Sequence, residues 1–220
     1  MRRILITVCI LSLFFSCSND DSNTPEAQIE NFYALTVGNS WEYRWYRFQT
    51  EMGLDAMAIT ESISIVDTED INGDLYYKFK KVVDGNDPFY DGVGFGFPVN
   101  GEYVEYYRDS LGYLVNEHGD VKFVNNINEE FVIYEPQFNY EYAAYAELSE
   151  GSFEFTTEAG TFNCLEMKIR YEDEDENTDL LAVNKHYYAD DIGLIKYDVV
   201  FMTSADGNGY QKRLESYNVQ

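Results

Sequence analysis

Along most of this chain apolar and polar residues alternate one for one. Trp41, Tyr43 and Trp45 are separated by Glu42 and Arg44, and Ile63 and Ile65 stand among Ser62 and Ser64, with Ile59 and Thr60 just before. Tyr77 and Phe79 alternate with Lys78 and Lys80; Leu165, Met167, Ile169 and Tyr171 with Glu166, Lys168 and Arg170; Ile195, Tyr197, Val199 and Phe201 with Lys196, Asp198 and Val200. A period of two sends successive side chains to opposite faces, so each run predicts a strand with one buried and one wet face. Between the runs stand Asn72-Gly73, Asp84-Gly85, Asn100-Gly101, Leu111-Gly112, His118-Gly119, Ala159-Gly160 and Asp206-Gly207-Asn208-Gly209. Asn-Gly and Asp-Gly supply the positive φ angles of tight hairpins, and their recurrence points to an antiparallel meander of roughly ten strands. One segment departs from the pattern: Tyr140 to Glu150 carries Ala143, Ala144, Ala146 and Leu148, good helix formers, and is the helix candidate, although its aromatics also suit a strand. No strand–helix alternation appears, so a parallel α/β sheet is not expected. A flat sheet of so many strands would leave long open edges. The expected fold class is therefore all-β, an antiparallel meander curved into a half-barrel or flattened barrel, with a two-sheet β-sandwich as the alternative.

The N-terminus follows another rule. Met1-Arg2-Arg3 is basic, Ile4 to Phe15 is almost wholly apolar, and Ser16-Cys17 follows directly. This is the layout of a secretory signal, and the apolar run falls well short of the ~20 residues that span a bilayer. Phe14-Phe15-Ser16-Cys17 resembles the lipobox of bacterial lipoproteins, with Phe14 where Leu is usual. The resemblance implies that Cys17 becomes the acylated N-terminus, a membrane anchor whose two or more chains attach firmly. An acidic stretch behind such a cysteine, here Ser18-Asn19-Asp20-Asp21, is associated in Bacteroidota lipoproteins with delivery to the cell surface. Residues 18 to 30 are polar and acidic, a composition that favours a flexible tether. The expected organisation is thus a signal peptide over 1–16, lipidated Cys17 and tether over 17–30, and one all-β domain over 31–220.

Charge narrows the partners. The full chain has 15 Lys and Arg against 40 Asp and Glu, a formal charge of −25. Removing 1–16 takes away Arg2 and Arg3 and no acid, leaving 13 bases, 40 acids and a charge of −27. Nucleic acid and anionic headgroups are bound through Lys and Arg, so nucleic acid is excluded as a partner. Once Cys9 leaves with the signal and Cys17 is acylated, Cys164 stands alone in a strand-like run and reads as a small buried hydrophobe.

Catalytic signatures are absent from the sequence. There are two histidines, His118 and His186, and no nucleophile elbow, His-Glu-x-x-His helix or phosphate loop. His186 reads as a strand residue. Forty acids make some carboxylate pair inevitable, so a hydrolase is a remote alternative that this abundance does nothing to support. Glu172 to Glu176 with Asp179 reads as a solvated hairpin tip, and neither it nor Asp84-Gly85-Asn86-Asp87 completes a calcium-loop pattern. No cofactor or metal is expected.

Aromatic content points elsewhere. With 20 Tyr, 15 Phe and 2 Trp, the sheet can line a cavity or groove whose tyrosines keep a polar handle. Gly85 to Gly101 packs five glycines, two prolines and four aromatics into seventeen residues. A loop of that length is often a binding flap, which makes Phe89, Tyr90, Phe95 and Phe97 the candidate ligand-binding residues.

Two segments resemble Bacteroidota (flavobacterial-type) envelope lipoproteins of similar size. One is Phe32-Tyr33-Ala34-Leu35-Thr36-Val37-Gly38-Asn39-Ser40-Trp41-Glu42-Tyr43, similar to a Pro-Leu-x-x-Gly-x-x-Trp-x-Tyr opening with Ala34 in the proline place. The other joins Gly160-Thr161-Phe162-Asn163-Cys164 to Tyr187-Tyr188-Ala189-Asp190-Asp191-Ile192-Gly193-Leu194-Ile195-Lys196-Tyr197. The resemblance implies an outer-membrane, lipid-anchored β protein and transfers no activity. The functional expectation is a non-enzymatic envelope lipoprotein that binds an apolar or amphiphilic ligand or a glycan. The alternative is a structural subunit docked on another envelope protein.

Overall fold

The computed structural model describes residues 31–49, 53–86, 98–126, 129–134, 142–173, 182–200 and 209–220. They form thirteen strands and, among the described residues, no helix. The first half of the chain contributes β1 (Ser40–Gln49), β2 (Gly53–Ile71), β3 (Asp74–Asp84), β4 (Gly101–Ser110), β5 (Tyr113–Asn116) and β6 (Val121–Val124). The second contributes β7 (Phe131–Tyr134), β8 (Tyr142–Leu148), β9 (Phe153–Thr157), β10 (Gly160–Asp173), β11 (Ala182–Ala189), β12 (Gly193–Val200) and β13 (Gly209–Asn218). All belong to one antiparallel sheet in the order β6-β5-β4-β3-β2-β1-β13-β12-β11-β10-β8-β7, with β9 beside β10. The pairing of β1 with β13, Ser40 opposite Asn218 through Phe48 opposite Gly209, joins the two meanders. The sheet closes almost completely into a barrel, with one unsealed seam between its outer strands β6 and β7.

Alternation builds the strands and bulges bend them. Register shifts fall at Glu42/Tyr43 against β13, Arg44/Tyr46 against β2, Ile65/Asp67 against β3 and Tyr187/Tyr188 against β12. Each adds a local kink and twist, which is how a sheet of this width curls. Asn72-Gly73 and Leu111-Gly112 make the expected tight turns, with φ of 58° and 92° in the first and 57° and 90° in the second. Asp84-Gly85 and Asn100-Gly101 are not two-residue hairpins; they flank the segment 87–97. Asp206 to Asn208, Glu174 to Glu176 and Asp179 lie outside the described residues.

The helix expected over Tyr140 to Glu150 is instead a strand in its described part. β8 pairs with β10 from Leu148 opposite Met167 to Tyr142 opposite Asp173, and with β7 on its other side. Ala143, Ala144 and Ala146 are buried there. The helix preference of alanine is a few tenths of a kcal/mol over most residues, and two flanking ladders override it.

Inside the barrel, Phe123, Ile65, Met167, Ile195 and Leu214 are almost wholly shielded from solvent. Burying a side chain of this size stabilises the fold by about 1.5–3 kcal/mol. One end is stoppered by residues 31–39. Phe32, Tyr33, Ala34 and Leu35 are buried in the main core with Trp41, Phe123 and Tyr188. Asn31 organises the stopper: its Oδ1 accepts from Leu35 N at 2.7 Å and its carbonyl from Ala34 N at 2.7 Å. Asn39, fully buried, fastens it to both ends of the domain: its Nδ2 donates to Ala34 O at 2.8 Å, and its Oδ1 accepts from Gln220 N at 3.0 Å. Tyr33 donates from its hydroxyl to Gly112 O at 2.5 Å, and Trp41 Nε1 to Ile192 O at 2.7 Å. Ala34 has φ 50°. Proline is held near −65°, so this chain follows a backbone path here that a proline would not allow.

The outer face carries a polar layer of its own. Glu166 accepts from Tyr187 at 2.5 Å and Ser149 at 2.8 Å and pairs with Lys185 at 3.3 Å, linking β10, β11 and the end of β8. Lys196 pairs with Asp198 at 2.7 Å and lies 4.6 Å from the ring centroids of both Phe155 and Tyr187. Phe155 of β9 is thereby held over the barrel wall by stacking and cation–π attraction.

Candidate functional site

The barrel interior is not filled. Between the stopper and the middle of the strands lies a cavity of about 290 Å³ walled by aromatic and aliphatic side chains, among them Trp41, Tyr43, Phe79, Tyr107 and Tyr188. Trp41 stacks on Phe79 with centroids 6.3 Å apart and Phe79 meets Tyr107 edge-on at 5.2 Å, which fixes one wall. Interiors are normally packed to crystal density with few voids larger than a water. At ~30 Å³ per water this space would hold on the order of ten.

The floor toward the other end is a belt of charge. Glu105 of β4, Lys81 of β3, Glu61 of β2 and Lys212 of β13 follow one another around the inner wall. Lys81 Nζ sits 2.5 Å from Glu105 Oε1, and Lys212 Nζ 3.0 Å from Glu61 Oε2. Glu61, only 2% exposed, also accepts from Trp45 Nε1 at 2.7 Å. Burial alone would lift its carboxyl. The Lys212 charge, the bonds from Lys212 and Trp45 and the charge of Lys81 outweigh burial and hold it below the usual carboxylate range. Tyr107 donates to Glu105 Oε2 at 3.2 Å, and burial with the Glu105 charge pushes its phenol well above its ordinary value. Beyond the belt, Trp45, Ile59, Val83 and Tyr210 form a second, smaller core.

The seam supplies the remaining polar groups. β6 lies against the inner side chains of β11: Phe123 stacks on Tyr188 at 4.2 Å, and His186 Nδ1 faces the Lys122 carbonyl at 3.3 Å. A carbonyl can only accept, so the imidazole keeps its proton on Nδ1. His186 lines the cavity. Burial pushes its pKa down to about 4, the Lys122 carbonyl pulling up and the charges of Lys212 and Lys122 adding to the fall. It is a neutral wall residue at pH 7. Lys122, half-buried, lines the cavity and has no carboxylate within ion-pairing distance among the described residues.

Several expected sites lie elsewhere. Cys17, Phe89, Tyr90, Phe95 and Phe97 lie outside the described residues. What flanks the last four is described: Asn86 N donates to Asn100 Oδ1 at 2.9 Å and Asn100 Nδ2 returns to Asn86 O at 2.8 Å, at the barrel end opposite the stopper. Cys164 is fully buried on β10, and burial, against the pull of Lys196, raises its thiol to about 11, so it is protonated and inert at neutral pH. Among the described residues no three His, Cys, Asp or Glu side chains converge as metal ligands.

No family model matches the chain, and no curated protein does. Two solved structures superpose on it. A candidate lipoprotein from Parabacteroides distasonis ATCC 8503 superposes with a TM-score of 0.50 at 13% identity, over 86% of this chain and 99% of the other. A candidate exported protein with a YmcC-like fold, from Bacteroides fragilis NCTC 9343, gives 0.47 at 10% identity over the same shares. At such identities the first likeness establishes a common fold.

The belt and the seam went unrecognised in the sequence, although part of the signal is there. Glu61 shares the parity of Ile59, Ile63 and Ile65; Lys81 that of Tyr77 and Phe79; Lys212 that of Tyr210 and Leu214. A charge at an inward position of an alternating strand is a buried charge.

Proposed function

We propose that this is a lipid-anchored envelope protein that encloses a small amphiphile in its barrel and performs no chemistry on it. The observation that carries the reading is the stoppered, aromatic-walled cavity, near the lower end of the ~300–1,000 Å³ typical of ligand sites. Its lining favours an apolar or amphiphilic ligand over a glycan, because aromatic and aliphatic side chains make up most of the wall. The non-enzymatic part is supported by the charge belt: both carboxylates are already paired with lysines, Glu61 is held ionised, and His186 is neutral and hydrogen-bonded to backbone. The envelope location is supported by the signal-like start, the lipobox-like Cys17 and a fold shared with a candidate bacterial lipoprotein.

Native mass spectrometry of the full-length protein, extracted gently from its host's envelope, tests the ligand. A reproducible extra mass that leaves on denaturation is expected. A bare chain accompanied by a stoichiometric partner protein would favour docking instead, for which β4 offers an edge: β5 pairs Tyr107–Ser110, and Gly101–Tyr106 have no strand partner on that side among the described residues. Metabolic labelling with a palmitate analogue tests the anchor, and label that persists in Cys17→Ala would refute it.

A further inference from the structure

The charges around the cavity do not cancel. Lys81 is neutralised by Glu105 and Lys212 by Glu61, both at contact distance. His186 contributes no charge at neutral pH. Glu117 and Asp109 act on Tyr107 and Tyr33 from a distance, and neither belongs to the cavity lining. Lys122 is left, a half-buried residue of the cavity lining whose charge reaches His186 and which has no carboxylate within pairing distance among the described residues. In a chain with a formal charge of −25 and a large excess of acids, a cationic interior is the exception that needs a cause.

We propose that the cavity takes a monoanionic amphiphile, a small carboxylate or similar oxyanion on an aromatic or apolar body, whose charge is met by Lys122 at the seam. The inference rests on the ligand-binding reading above and adds to it the sign and position of the ligand's charge. The geometry suits it. Lys122 lies on β6, the strand that borders the seam, so an anionic head there keeps contact with water while the body enters among Trp41, Phe79 and Tyr188. A cationic ligand would meet an uncompensated like charge. A neutral one would leave the ammonium beside apolar surface without a counter-ion, a configuration that proteins generally avoid.

The test is a matched pair of probes, 2-naphthoate and 2-naphthamide, which share ring and shape and differ in charge. Each is titrated calorimetrically into the full chain held in lipid nanodiscs, with empty nanodiscs as the blank. The expectation is that naphthoate binds about tenfold tighter, the scale of one charge-assisted hydrogen bond at a partly wet site. Lys122→Gln should erase that preference by weakening naphthoate alone, and Lys122→Arg should keep it, which separates loss of charge from damage to the fold. Equal affinity for the two probes, or a preference that survives Lys122→Gln, overturns the anionic assignment and leaves the cavity reading standing. Failure of both probes to bind overturns both.

Discussion

The charge belt can be broken at one point. Lys212→Met removes the ammonium 3.0 Å from Glu61 and puts an unbranched apolar chain of similar length in its place, leaving the carboxylate 2% exposed and without its ion pair. Removing one partner of a buried pair typically costs about 3–5 kcal/mol. Trp45 still donates to the other oxygen and Lys81 still acts at longer range, so the lower end applies, about 3 kcal/mol. For a domain of this size each kcal/mol shifts the midpoint by about 2–4 °C, so Tm should fall by roughly 6–12 °C. The pH dependence gives the sharper check. In the parent protein the folded pKa of Glu61 lies below the unfolded one, so its stabilisation is full above the ordinary carboxylate range and is lost as pH falls through the folded value. In Lys212→Met, burial is opposed only by Trp45 and Lys81, and the folded pKa moves above the unfolded one. The buried charge then penalises folding at neutral pH, and the penalty disappears as the carboxyl takes up a proton. The deficit read by urea unfolding should therefore be largest near pH 7 and shrink toward pH 4. Adding Glu61→Gln should restore at least half of the loss, since the amide oxygen still accepts from Trp45 and no charge is left unpaired. A deficit under about 0.5 kcal/mol at pH 7, or the same deficit at both pH values, would refute the belt as a coupled structural unit.

Two other perturbations probe the stopper and the seam. Asn39→Ala deletes both the bond to Ala34 O and the acceptor for Gln220 N in a fully buried place, and should cost about 1–3 kcal/mol in urea unfolding; an unchanged midpoint would mean the stopper is held by apolar packing alone. His186, with its folded pKa of about 4 against 6.5 unfolded, binds fewer protons when folded across that window. It should therefore lower stability as pH falls from about 6.5 to 4, and His186→Phe should flatten this part of the pH–stability curve.

How much of this was legible beforehand follows from what alternation encodes. Trp41, Tyr43 and Trp45, or Leu165, Met167 and Ile169, announce strand and inward face together, because a strand has one rule for both. Alternation says nothing about which strands meet, so the β1–β13 pairing that turns two meanders into one barrel was not readable. It misled at Ala143 to Leu148, where composition favoured helix and two neighbouring ladders decided otherwise. It held more than was taken from it at Glu61, Lys81, Glu105 and Lys212, each a charge at inward parity. Such charges are tolerated only in compensated sets, so two acids and two bases at inward positions imply mutual pairing, though not which acid meets which base. The same count cannot find Lys122. A register shift between Leu114 and Val115 leaves Lys122 as an extra residue of β6 against β5, so that parity no longer reports its facing. Lys122 thus sits on an outer strand at a point where parity does not report facing, beside the unsealed seam. A bulge there frees a side chain from the pairing demands of the belt, and that freedom is what a ligand-facing residue requires.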